Sequence, residues 1–293
     1  MRTKIRSVVT TKPLPLSVSV SLLRNGFSTR VRMQSGAKGQ TFAVRYPGSI
    51  WAKVPPPIRA EIARNIAYAG THFVPLMLKR DEISYEFPCP SLESFWFQNT
   101  LRDLPACELA DGARPGLYVR SFFNQATSFK GDVAPVIPAL KERSRRLGSI
   151  ASDSRVCVPF TFGKESMLTL ALMQKFGLVP VLLYSEEPSH PYELAWKSRE
   201  LKRLSHSLGI DAVLLRNSLG GIRYGKSLGI AQETEIGWGA QTTQLAVLAV
   251  PLFYSHGASS ILIGNECTNN EAVDYGGWRA ALSFDQSSEW TVQ

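Results

Sequence analysis

The sequence predicts an α/β protein whose C-terminal part is a doubly wound parallel sheet, and three observations predict it. After residue 155, short apolar runs alternate with segments of helix length. Glycine stops the first two of those helices, and 44% hydrophobic residues over 293 positions suffice for a large core. In order, Val156–Phe160 reads as a first buried strand, and Glu165–Phe176 as a helix closed by Gly177. Val179–Tyr184 is a second strand, Tyr192–Leu208 a helix stopped by Gly209, and Asp211–Leu215 a third strand. Gln241–Tyr254 follows as a helix and Ser260–Gly264 as a fourth strand. Strands separated by helices of this length make crossovers between parallel neighbours.

Residues 39–150 predict a smaller, mixed α+β domain. Thr41–Tyr46 reads as a strand, and Pro55-Pro56-Pro57 opens a helix through Ile58, Ile62, Ile66 and Tyr68. Glu82–Phe87 alternates as a half-buried strand, with Phe95–Phe97 and Leu117–Val119 as further short strands. Lys141–Arg146 reads as a solvated basic helical turn leading into the next domain, which spans 151–293.

Charge is unevenly placed. The formal net charge is +9, yet eleven of the 33 Lys/Arg precede Glu61, the first acid. The rest of the chain therefore carries 22 basic against 24 acidic residues, which gives nucleic acid no broad electrostatic footprint. Residues 1–38, rich in Arg, Ser and Thr and free of acids, read either as an organellar transit peptide or as a disordered start on a cytoplasmic protein. Ser17, Ser19 and Ser21 interrupt the apolar residues there, which argues against a secretory signal. The longest apolar run, Leu245–Tyr254, has ten residues and contains Pro251, too short for a membrane span. Cys89, Cys107, Cys157 and Cys267 stand far apart and fit neither a disulfide framework nor a zinc cage.

The chemistry concentrates where the first strand runs into a helix, at Thr161-Phe162-Gly163-Lys164-Glu165-Ser166. Gly163 lets the backbone approach an anion, Lys164 adds charge, Ser166 a hydroxyl, and the first helical turn its unpaired N–H groups. This is a phosphate site by physical argument. At the end of the second strand stand Tyr184 and Ser185, followed by Glu186 and Glu187. The fourth strand runs into Gly264-Asn265-Glu266-Cys267-Thr268-Asn269-Asn270-Glu271, a dense polar stretch suited to a ligand or Mg²⁺. Between them, Ser218–Gly239 holds six glycines and reads as a mobile substrate flap.

The stretch Thr161–Ser166 resembles the PP-loop of the N-type ATP pyrophosphatases, Ser-Gly-Gly-x-Asp-Ser. Thr161 stands for the first Ser, Phe162 for the first Gly, Gly163 for the second, Glu165 for Asp, and Ser166 matches outright. The resemblance implies a Rossmann-like fold of the adenine nucleotide alpha hydrolase type, with ATP held by Thr161, Phe162, Gly163, Lys164, Glu165, Ser166, Tyr184, Ser185, Gly264 and Asn265. It implies Mg²⁺ on Glu266 and Glu271, and Lys164, Ser166 and Glu271 as catalytic residues. Together with the polar stretch after the fourth strand, the loop is most similar to that of the muramoyl-dipeptide glutamate epimerases. These use ATP and Mg²⁺ to invert the glutamyl centre of UDP-N-acetylmuramoyl-L-alanyl-L-glutamate, releasing AMP and pyrophosphate. The implied partner is thus a small nucleotide-linked carboxylate, with no nucleic acid and no membrane. That family continues beyond the equivalent of Trp290, so a C-terminal truncation is expected. His190, His206, His256, Cys267 and Glu271 are the candidate general bases. Two alternatives stand beside this reading. Val273–Gly277 is locally similar to the 7-cyano-7-deazaguanine synthases, whose cysteine zinc cluster this chain lacks, and a non-catalytic nucleotide-binding module fits the altered loop.

Overall fold

The computed structural model describes residues 16–33, 39–132, 155–186, 191–230, 233–265, 270–281 and 284–288. The chain opens with an antiparallel meander, β1 (Leu16–Leu23), β2 (Gly26–Arg32) and β3 (Gln40–Arg45). Helices α1 (Gly48–Trp51), α2 (Pro56–Ala69) and α3 (Val74–Met77) follow, then β4 (Glu82–Tyr85), α4 (Glu93–Ala110), α5 (Leu117–Phe123) and β5 (Ala126–Phe129). The second half runs β6 (Arg155–Pro159), α6 (Lys164–Lys175), β7 (Val179–Glu186), α7 (Pro191–Leu208), β8 (Asp211–Asn217), α8 (Gln241–His256) and β9 (Ala258–Ile261). A small hairpin, β10 (Ala272–Tyr275) with β11 (Trp278–Ala281), follows.

Nine strands form one mixed, mostly parallel sheet in the order β5-β4-β1-β2-β3-β8-β7-β6-β9. Strands β6 to β9 are parallel, and in chain order their arrangement is third, second, first, fourth. Alternation along these strands assigns their faces. Val156, Val158, Phe160, Leu182 and Tyr184 pack with Leu170 of α6 and Leu201 of α7. Cys157, Val181, Leu183, Val213 and Leu215 face the other way, into a core shared with Leu248 and Leu252 of α8 and Ile58, Ile62 and Ile66 of α2. Strands covered on both faces are apolar throughout, which is why this half was legible as strands.

The same core contains Leu16, Val18, Phe27 and Val31, all at most 1% exposed. The reading of residues 1–38 as a leader is therefore corrected over 16–33: this segment supplies two central strands. Its serines and arginines alternate with buried apolar residues at the period of a half-buried strand, so the composition that imitates a targeting peptide is a sheet's outer face. Residues 1–15 and 34–38 lie outside the described residues. The division at 150/151 is also bridged, because β3 pairs antiparallel with β8, Val44 opposite Asn217 and Arg45 opposite Arg216. Ser218 fastens the joint: its N–H donates to the Ala43 carbonyl at 2.9 Å, and its Oγ accepts from the Ala43 N–H at 2.7 Å.

Two strand expectations fail. Phe95–Phe97 lies in α4 and Leu117–Val119 in α5. The buried stripe of α4 includes Asn99, Thr100, Asp103 and Glu108, so a helical period written in polar residues escapes a hydrophobic search. Helix α5 owes its start to a distant group. The fully buried Glu108 carboxylate accepts hydrogen bonds from the Gly116, Tyr118 and Val119 N–H groups. Lys141–Arg146 falls outside the described residues. Cys89, Cys107 and Cys157 are free thiols, and among the described residues no helix is long and apolar enough to cross a membrane.

Candidate functional site

In an open parallel sheet, the crevice for a ligand lies beyond the carboxyl ends of the strands where the order reverses. Here that point lies between the neighbouring strands β6 and β9. The loop Phe160–Gly163 leaves β6 at this edge. Its tight turn is made by Phe162, one of two non-glycine residues with positive φ among the described residues, at +66°. Such a backbone costs a bulky side chain about 1–2 kcal/mol. Aromatic packing offsets the strain: the Phe162 ring meets Phe160 at 4.8 Å, Trp196 at 5.6 Å and Tyr184 at 6.2 Å between centroids.

Gly163 is the N-cap of α6, extended at φ −76° and ψ 166°, and no side chain caps the helix. Gly163 therefore supplies no side-chain acceptor to the first-turn N–H groups. Ser166 is buried, and its hydroxyl donates to the Gly163 carbonyl at 3.0 Å, so it holds the loop while keeping lone pairs to accept with. Thr161 Oγ1 accepts from the Gly163 N–H at 3.4 Å. Lys164, with its side chain 80% exposed, places Nζ 3.5 Å from Glu165 Oε1. That carboxylate oxygen is buried and makes no hydrogen bond, and the Ser185 hydroxyl at the end of β7 is likewise buried without one. The Ser185 hydroxyl calls for a hydrogen-bond partner, while the Lys164 ammonium balances the charge of Glu165 Oε1.

Gly264 closes the cradle from the β9 side. A β-carbon there would lie 2.6 Å from Thr169 Oγ1 and 2.9 Å from the Glu165 carbonyl, so only glycine brings this loop onto the first turns of α6. Asn265 follows it, exposed. The structure thus brings Thr161, Phe162, Gly163, Lys164, Glu165, Ser166 and Gly264 together, with Tyr184 touching Phe162. At the same edge Glu186 pairs with Arg216 at 3.7 Å.

Glu266, Cys267, Glu187 and His190 lie outside the described residues. Glu271 is exposed at the foot of the β10–β11 hairpin, which is anchored to another region: the Tyr275 hydroxyl donates to the Ala113 carbonyl at 2.6 Å, and Gly276 abuts Pro115. Among the described residues no three His, Cys, Asp or Glu side chains converge as a metal cage. His206 is exposed on α7. His256 lies at the opposite end of the sheet, where burial holds its pKa below the ordinary value, with Asp211, Arg155 and Lys53 as charged neighbours. His256 is thus far from the loop.

The glycine-rich flap is also corrected. Leu219, Ile222, Leu228 and Ile236 are buried, and Arg223, 4% exposed, stacks on Trp238 at 4.9 Å. Gly237 lies against the Phe73 ring and Gly239 against the Asp103 carboxylate, each closer than a β-carbon allows. These glycines serve close packing. Two features escaped the sequence reading. Trp196 forms one wall of a cleft of about 380 Å³ beside the loop, with Phe162, Met167 and Leu204; its spacing to Glu200 and Arg203 on one face of α7 was the available signal. His72 is 1% exposed, stacked on Tyr68, with Nδ1 2.9 Å from the Tyr68 carbonyl and Nε2 2.6 Å from Thr100 Oγ1. A carbonyl only accepts, so Nδ1 carries the proton and Nε2 accepts from Thr100. Burial lowers its pKa to about 4.

No family model, no curated protein and no solved structure matches the chain.

Proposed function

We propose that this chain is an AMP-forming, ATP-dependent enzyme of the PP-loop type, which holds the pyrophosphate of ATP on the first turn of α6. The observation that carries this reading is the left-handed turn at Phe162. The motif Ser-Gly-Gly-x-Asp-Ser has glycine at the position of Phe162, and glycine is the residue that takes a left-handed backbone at least cost. Phe162 takes such a backbone here, with φ at +66°. A strained turn leading into an uncapped helix, at the order reversal of a parallel sheet, fits a phosphate cradle.

The donor set suits a triphosphate. The first turn of α6 and the Lys164 ammonium suit developing negative charge, while Ser166 fixes the Gly163 carbonyl and with it the loop. Mg²⁺ takes one or two carboxylates plus phosphate oxygens, and Glu165, whose Oε1 makes no hydrogen bond, would supply one such ligand at the loop. When bound, the cation neutralises phosphate charge. The acceptor in this reading is a carboxylate, which loses its charge on receiving AMP, so that the adjacent α-proton becomes removable by a modest base. Epimerisation of the glutamyl centre of UDP-N-acetylmuramoyl-L-alanyl-L-glutamate is the most specific form of the proposal, and it rests on the sequence resemblance.

The test is product analysis with Mg²⁺-ATP and a panel of carboxylates. AMP and pyrophosphate are expected, and ADP with phosphate overturns the reading. Lys164→Ala and Ser166→Ala should each weaken ATP use by about 1.5–3 kcal/mol, the worth of a hydrogen bond to a charged group. Because Ser166 also holds the loop, its variant is read beside its thermal stability. Wild-type ATP affinity and turnover in both variants would refute the site.

A further inference from the structure

The cleft beside the α6 loop has a composition that a phosphate cradle alone does not need. It is a groove of about 380 Å³, at the small end of the range for ligand sites. Trp196, Glu200 and Leu204 recur at helical spacing and line it from one face of α7, while Met167 lines it from the start of α6. Phe162 belongs to both places. Its backbone makes the turn into α6, and the same residue lines the groove. The groove therefore opens directly beside the cradle.

Trp196 is 49% exposed and Met167 45%, so the groove presents apolar surface to whatever enters it. The Phe162 ring meets the indole at 56° rather than stacking on it, and about half of the tryptophan's surface stays open. Tyr184, at the end of β7, cannot serve in its place, because it is 8% exposed and packed in the core with Leu182 and Leu201. Charge in the groove is already answered, since Arg203 Nη2 lies 2.7 Å from Glu200 Oε2. A neutral flat ring therefore fits the groove better than an ion does. Nucleobases are such rings, and each has a face that stacks on an aromatic side chain. In a nucleotide the base stands one sugar away from the phosphates. Here the aromatic groove stands one short turn, Phe162-Gly163, away from the start of α6.

We propose that Trp196 is the platform on which the base of the bound nucleotide stacks, in the groove that Met167 and Leu204 complete. The inference rests on the reading of the α6 loop as a phosphate site. The test titrates ATP and inorganic tripolyphosphate, which has no base, into the full chain by calorimetry, both with Mg²⁺. The wild type should bind ATP at least about tenfold tighter than tripolyphosphate. Trp196→Ala should weaken ATP binding by roughly ten- to hundredfold, the worth of one base–aromatic stack, and leave tripolyphosphate within about twofold. Trp196→Phe keeps a ring and should restore most of the ATP affinity. ATP, but not tripolyphosphate, should quench tryptophan fluorescence, and the quench should vanish in Trp196→Phe. Lys164→Ala should weaken both ligands. If Trp196→Ala leaves ATP binding unchanged, or weakens both ligands equally as a mere support of the Phe162 turn would, the stacking inference falls. The loop reading survives that result as long as Lys164→Ala still weakens both. If neither ligand binds, or if Lys164→Ala changes neither, the loop reading falls and the inference with it.

Discussion

Phe27 separates a leader from a strand. Its ring is fully buried, 6.1 Å from that of Trp51, which in turn stacks on Tyr46 at 5.0 Å, and its backbone pairs with Leu22 on one side and Val44 on the other. Phe27→Ala removes the ring from a site walled by strands on both sides, where little can collapse into the space. Transfer and cavity costs together give about 3–5 kcal/mol. That is a large share of the roughly 5–15 kcal/mol by which a domain is stable. At about 2–4 °C per kcal/mol, Tm should fall by roughly 6–20 °C. Ser21→Ala, an exposed residue of the neighbouring strand, should stay within about 0.5 kcal/mol. Denaturant unfolding of both variants, followed by tryptophan fluorescence and far-UV circular dichroism, measures the contrast. Equal stability of Phe27→Ala and wild type would refute the placement of residues 16–33 in the sheet.

Gly264→Ala should push the loop after β9 off α6 and lower ATP affinity at least tenfold with a small change in Tm, as isothermal titration and thermal melts can show. His72 should make stability depend on pH in one direction. Its pKa falls from an ordinary 6.5 to about 4 because the imidazole is buried, so the unfolded chain protonates first. The neutral ring's contribution is complete above pH 6.5 and is lost as pH falls to about 4, a swing of about 3 kcal/mol. Denaturant midpoints across that range should fall more steeply for the wild type than for His72→Gln, and parallel profiles would refute it. Deleting residues 1–33 should abolish cooperative unfolding, since it removes β1 and β2 from the middle of the sheet.

What the sequence disclosed follows burial geometry. Strands β6 and β7 stood out because both their faces are covered, whereas β9 runs Ala258–Ile261 rather than Ser260–Gly264, its serines giving no apolar run; Gly177 and Gly209 marked helix ends that the structure keeps, each with positive φ. Strands β1 and β2 did not, because half of their side chains face outward as Ser and Arg. Helix α4 was hidden by its polar buried stripe, and α5 by a cap that folds back from Glu108. At the loop, Thr161–Ser166 are neighbours in sequence, so their being together in space needs no long-range contact, and Gly264 joins them at the first turns of α6. The aromatic support of Phe162 by Trp196 needed α7 to lie across the loop. The docking of the β10–β11 hairpin through Tyr275 on Ala113 likewise joins residues far apart in sequence, and neither contact is written in neighbouring residues.

The joint between β3 and β8 has a consequence for synthesis on the ribosome. The Tyr46 hydroxyl donates to the Leu248 carbonyl at 3.0 Å across a separation of 202 residues, and α8 supplies Leu248, Ala249 and Leu252 to the core that holds Trp51 and Ile62. At about 5–20 residues per second, that separation takes roughly 10–40 s to translate. During that interval the meander and α2 have emerged with an uncovered apolar face, and β3 offers an unpaired edge that β8 will fill only later. A nascent chain in this state is a substrate for holdase chaperones and proteases, so the yield of folded protein should respond to elongation rate between codons 46 and 248.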